Sequence, residues 1–111
     1  MLESLITTTV LALLLFVTPA ARAEDRQIEL IAKDGQFTPS VIEVTSGEKV
    51  ELVIKNEGHE AEEFESIDLK REKVIPPGKS VNVKLGPLKP GTYTYFGDFH
   101  PETARGKLVV K

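Results

Sequence analysis

Gly91-Thr92-Tyr93-Thr94-Tyr95-Phe96-Gly97-Asp98-Phe99-His100-Pro101 is the stretch on which the fold turns. Thr92 to Phe96 is β-branched and aromatic throughout, the composition of a strand that packs large side chains on a pleated surface. Asp98 and His100 follow it directly and share a face if the strand extends to them, because residues two apart in a strand point the same way. Pro101 then stiffens the turn. The chain of 111 residues has no cysteine, and its only methionine is Met1. Any metal held here must therefore be held by carboxylates and imidazole, which are hard or borderline ligands.

Working back from that strand, the chain continues to read as all-β. Gln27 to Lys33, Val41 to Val44, Lys49 to Asn56, Phe64 to Leu69, Val74-Ile75 and Val81 to Leu85 are short apolar or alternating runs, and Lys107 to Lys111 closes the chain. Turn residues punctuate them: Asp34-Gly35, Ser46-Gly47, Pro76-Pro77-Gly78 and Gly86-Pro87 through Pro90-Gly91. Seven to eight short strands with turns at this spacing predict a β-sandwich. Phe37, Phe64, Tyr93, Tyr95, Phe96 and Phe99 lie in or beside strand segments and supply large apolar surfaces for its core.

The first 23 residues read as a separate element. Leu5 to Val17 is apolar apart from three threonines, and Ala21-Arg22-Ala23 fits a small-x-small cleavage site. The stretch is short for a membrane span, so a cleaved secretory helix over residues 1–23 is expected rather than an uncleaved anchor. That leaves residues 24–111 as one small exported domain, with no stable membrane insertion. Without disulfides, such a domain depends on its core or on a bound metal. The net charge of −3 is spread along the chain. This argues against a nucleic-acid partner, which selects clustered Lys and Arg. There is no cysteine nucleophile, no serine in a nucleophile elbow and no Gly-rich phosphate loop. Two histidines are few for a zinc site.

Two polar clusters remain, each following a strand: His59-Glu60-Ala61-Glu62-Glu63-Phe64-Glu65 and Asp98-Phe99-His100-Pro101-Glu102. Strand alternation puts Glu63 and Glu65 on one face, with Glu62 and Phe64 on the other. Taken singly, Glu60 and Glu63 read as solvated acids and His59 as a loop residue. Together the acids repel one another, and a bound cation would reverse that penalty.

The run Glu62 to Ser66, with Asp68 to Ile75, Pro77-Gly78, Gly86 to Tyr93, Phe96 to His100 and Thr103 to Gly106, resembles the EfeO-type cupredoxin-like family over residues 27 to 111. Those are bacterial periplasmic proteins, some of them parts of ferrous-iron uptake systems that include an iron permease. The resemblance implies a cupredoxin-like Greek-key sandwich. It implies metal ligands at Glu62, Glu63, Glu65, Asp98 and His100, and more weakly at Glu72 and His59. Glu62 matches the place of the first cupredoxin histidine and His100 that of the second. Gly97 and the Ala104-Arg105 region depart from the blue-copper pattern, which removes the thiolate and thioether of a type 1 site. The implied role is binding of copper, iron or both, with oxidation of ferrous iron or its delivery to a permease or other uptake component. A copper carrier or metal buffer without redox turnover is the alternative. A carboxylate site at a sandwich end is also open to sharing across a homodimer.

Overall fold

The computed structural model describes residues 10–15 and 25–111. The expected leader helix over residues 1–23 lies outside the described residues except for 10–15, which are exposed and carry no regular structure. No helix among the described residues is long and apolar enough to cross a membrane. Nine strands follow in order: β1 (Arg26–Lys33), β2 (Gln36–Thr38), β3 (Val41–Val44), β4 (Val50–Asn56), β5 (Glu62–Ser66), β6 (Arg71–Ile75), β7 (Ser80–Leu85), β8 (Gly91–Gly97) and β9 (Arg105–Val110). The strand beyond the expected seven or eight is β2, three residues long. Asp34 and Gly35 both take positive φ, 51° and 67°. That is the left-handed pair a two-residue hairpin turn needs, so an Asp-Gly step folds the chain straight back onto β1.

The expected strand from Phe64 to Leu69 stops at Ser66. The Ser66 hydroxyl accepts the Leu69 N–H at 3.1 Å and donates to the Thr94 carbonyl at 2.7 Å. Lys70 turns the chain with φ 55°. A local side-chain bond thus competes successfully with the strand ladder.

The strands form two sheets, one ordered β2-β1-β4-β7 and the other β3-β9-β8-β5-β6. The β1–β4 and β3–β9 pairs are parallel, and the others are antiparallel. Between the sheets lie Leu30, Leu52, Ile54, Phe64, Ile75, Val83, Tyr95 and Leu108, all nearly or fully buried. Phe37, Phe64 and Tyr95 meet with centroids 5.3 to 6.0 Å apart, two of the three contacts edge-on, and each such pair adds about 0.5–1.5 kcal/mol beyond its area. Only these three of the six expected aromatics are core. Phe99 is 46% exposed, because the strand ends at Gly97 and the turn after it carries Phe99 out of the sandwich. Gly106 lies opposite Tyr95 in the ladder, and a Cβ there would collide with the Tyr95 ring.

Candidate metal centre

Alternation along β5 sets the chemistry of both its faces. Glu62, Phe64 and Ser66 point into the sandwich, while Glu63 and Glu65 point out of it, as the period-two pattern predicts. On the outer face the ladder puts Glu72 of β6 directly opposite Glu65. Carboxylate oxygens of Glu63, Glu65 and Glu72 lie within 4.8 Å of one another. Asp98 joins them from the end of β8, where its N–H donates to the Glu63 carbonyl at 2.9 Å. Among the described residues none of these four acids pairs with a basic side chain.

The consequence is a carboxyl on Glu63 that holds its proton to higher pH. A hydrogen bond with the Glu72 carboxyl, then burial, then the charges of Glu72, Asp98 and Glu65 push the Glu63 carboxyl up to about 7. Glu63 is only 8% exposed. Glu65 is raised as well, by desolvation and then by Asp98 and Glu72.

On the inner side, Glu62 is 4% exposed. Its Oε1 accepts the backbone N–H groups of Glu63 at 3.0 Å and Phe99 at 3.1 Å. Its Oε2 lies 2.6 Å from His100 Nδ1. The other ring nitrogen, Nε2, lies 3.2 Å from Glu60 Oε2. The bond to Glu62 holds the His100 imidazole above its ordinary range, against the opposing effect of burial, with Glu60 adding to it. A tight turn fixes the ring: the His100 N–H bonds the Gly97 carbonyl, and the Ala104 and Thr103 N–H groups bond the His100 carbonyl. Gly35, at the β1–β2 turn, packs so closely that a Cβ there would sit 3.2 Å from His100 Cδ2. The Thr103 hydroxyl donates to the Gly35 carbonyl.

A cleft of about 360 Å³ opens beside this pair, lined among others by Asp34, Gly35, His59, Glu60, Glu62 and His100. Asn56 holds its rim. The buried Asn56 amide donates to the Glu60 carbonyl at 2.7 Å and the Ile75 carbonyl at 2.9 Å, and its oxygen accepts the Gly58 N–H.

These placements divide the candidate ligands into two groups. Glu63, Glu65, Asp98 and Glu72 gather on the outer face, while Glu62 and His100 pair inside. Asp98 and His100 do not share a face, because the chain turns at Gly97. His59 lines the cleft without joining either group. Glu60, read in the sequence as a solvated acid, reaches His100. It stands two residues before Glu62, and that spacing was the available clue.

The inner donor set does not fit type 1 copper. Gly97 supplies no thiolate, and a Cβ there would lie 2.7 Å from both the Ala104 Cβ and the Glu62 carboxyl carbon. The outer set of hard oxygens, unneutralised by any base, does fit a divalent or trivalent cation.

A stability prediction follows from the two raised groups. A group whose folded pKa is raised contributes stability that is complete below its unfolded value and lost as pH rises through its folded value. For Glu63 that window runs from 4.5 to about 7, and for His100 it extends upward from 6.5. In the presence of chelator, the melting temperature is expected to be lower at pH 8 than at pH 5.5. A higher value at pH 8 would contradict this account of the two clusters.

Comparison with known proteins agrees with the architecture. Residues 6–110 match the family model of the cupredoxin-like domain. An uncharacterized protein of Rickettsia prowazekii (strain Madrid E) is 46% identical over 84 residues, covering 76% of this chain and 67% of the relative. Among solved structures, the blue copper protein auracyanin A of Chloroflexus aurantiacus superposes with a TM-score of 0.68 at 17% identity, over 79% of this chain and all of its own. The purple cupredoxin of Nitrosopumilus maritimus gives 0.58 at 20% identity, over 78% of this chain and all of its own. At these identities the structural matches speak for the fold alone. With nine strands in two sheets, and a family model that spans nearly the whole sequence, the chain belongs to the cupredoxin-like domain family.

Proposed function

We propose that this is a periplasmic, sulfur-free metal-binding protein of the EfeO type, exported by cleavage of residues 1–23. Its task is to bind copper and iron and to assist the oxidation or delivery of ferrous iron. The observation that carries the reading is the pair of sites on opposite faces of β5. Three carboxylates lie within 4.8 Å of one another on the outer face, and an imidazole flanked by two carboxylates lies on the inner side.

The outer acids suit iron as substrate. Glu63, Glu65, Glu72 and Asp98 give hard oxygens, and the Glu63 carboxyl, raised to about 7, gives up its proton when a cation enters. Oxygen donors favour Fe³⁺ over Fe²⁺ and so lower the barrier to losing an electron. Copper held at His100 would supply the electron acceptor, one Cu²⁺ reduced to Cu⁺ for each Fe²⁺ oxidised. Glu62 and Glu60 hold the imidazole in place, and Phe64, between Glu63 and Glu65, keeps the strand rigid from within. The natural recipient is an iron permease or another uptake component.

Titration of the purified protein with Cu²⁺ and with Fe²⁺ under argon tests this. Saturable binding of both is expected, with ferrous iron disappearing in a ferrozine assay only when Cu²⁺ is loaded. Binding without iron oxidation would make the protein a copper carrier or metal buffer. No saturable binding of either ion would end the proposal.

A further inference from the structure

The two ring nitrogens of His100 face different surroundings, and that difference assigns them different roles. Nδ1 faces Glu62, whose carboxylate is buried and fully committed. One oxygen takes two backbone N–H bonds, and the other lies 2.6 Å from Nδ1. Withdrawing Glu62 to ligate an ion would leave the Glu63 and Phe99 N–H groups without their acceptor. The space around it is also filled. Gly97 lies so close that a Cβ on it would sit 2.7 Å from both the Ala104 methyl and the Glu62 carboxylate.

Nε2 faces the opposite way, toward a cleft of about 360 Å³. Glu60 Oε2 is 3.2 Å away on a side chain that is 81% exposed and free to adjust. In the neutral ring, donation of Nδ1–H to Glu62 leaves the Nε2 lone pair directed outward. A lone pair and a carboxylate oxygen then face each other. With metal–ligand bonds of about 2.0–2.1 Å, a 3.2 Å separation subtends an angle of about 100° at an ion, between tetrahedral and square-planar values. His59 and Asp34 line the same cleft; among the described residues their donor atoms do not gather with this pair as the carboxylates of Glu63, Glu65 and Glu72 gather, so either would join an ion only by a side-chain shift.

We infer that a borderline divalent cation, Cu²⁺ or Zn²⁺, binds His100 through Nε2 in the cleft lined by His59 and Glu60, with Glu60 as a second ligand and His59 assisting, and that Glu62 is a positioning residue that fixes the ring rather than a ligand. A carboxylate that accepts the second ring N–H of a metal-bound histidine sets its tautomer and raises its basicity. The inference rests on the proposal that His100 binds metal, and it adds which nitrogen and which neighbours do so.

Long-range proton–nitrogen NMR of the full protein at pH 8 reads the ring directly. The metal-free protein is expected to show Nδ1 protonated and Nε2 bare. Zn²⁺ should shift the His100 Nε2 resonance while the Phe99 amide stays hydrogen-bonded. Glu60→Gln should weaken Cu²⁺ and Zn²⁺ binding about tenfold, and His59→Asn by a smaller factor, both without change in melting temperature. Binding through Nδ1 with loss of the Phe99 hydrogen bond, or affinity unchanged in Glu60→Gln, would overturn the assignment to Nε2 and Glu60 and leave metal binding by His100 standing. No perturbation of His100 by either ion would overturn both.

Discussion

Exchanging Glu63 and Glu72 together for glutamine is expected to move stability and affinity in opposite directions. The melting temperature of the metal-free protein at pH 8 should rise by about 5 °C, because Glu72 faces Glu65 across the ladder and lies close to Glu63, and such like charges are destabilising by up to about 1 kcal/mol, to which a small domain responds by several degrees. Iron affinity should fall by at least about 100-fold, since the change removes two anionic donors outright. The opposition is diagnostic. A cluster that exists only to decorate a solvated face gives a small stability change and no change in binding. The geometry argues otherwise: Glu63 is nearly buried, it has no basic partner among the described residues, and its carboxyl is raised to about 7 by its acidic neighbours. Calorimetry and anaerobic Fe²⁺ titration of the double variant measure both quantities. A melting temperature that falls together with unchanged affinity would remove the outer site from the account.

Phe64→Ala carries the largest expected effect on stability. Phe64 is fully buried, and its ring contacts Phe37 and Tyr95. Truncation of such a residue destabilises by about 3–5 kcal/mol, from lost transfer energy and the cavity left behind. Domains of this size have about 5–15 kcal/mol in total and usually sit at the lower end. The melting temperature should drop by about 15–30 °C. The loss should also reach the metal sites, because Phe64 anchors the one strand from which Glu62, Glu63 and Glu65 project to opposite sides. Thermal melts followed by circular dichroism check the first point. Copper titration at a temperature where the variant remains folded checks the second, with weakened binding expected.

The legible parts of this protein were those governed by short-range rules. Period-two alternation correctly put Glu62 and Phe64 on one face of β5 and Glu63 and Glu65 on the other. Glycine and proline marked the turns, and Asp34-Gly35 was read as a turn even though the three-residue strand after it was not. Long-range register was not legible. Nothing local to Glu72 shows that β6 pairs with β5 so as to set Glu72 opposite Glu65. The two-residue spacing of Glu60 and Glu62 hints that they share a side, but no local pattern shows that this side meets His100 across 40 positions of sequence. Asp98 and His100 were expected on one face because strand alternation was carried past Gly97. The hydrogen bonds from His100 to Gly97 and from Ala104 to His100 close a turn there instead. Ser66 ended β5 early for a comparable reason, a side-chain bond that propensity alone does not register.

The parallel β3–β9 pairing carries a consequence for biogenesis. The last strand, residues 105–110, is inserted between β3 and β8 rather than added at a border. A nascent polypeptide therefore cannot close that sheet until residues 105–110 have been synthesised, although β3 at residues 41–44 is made much earlier. For a chain exported as proposed above, this delay would leave β3 without its β9 neighbour while the residues between them are being threaded.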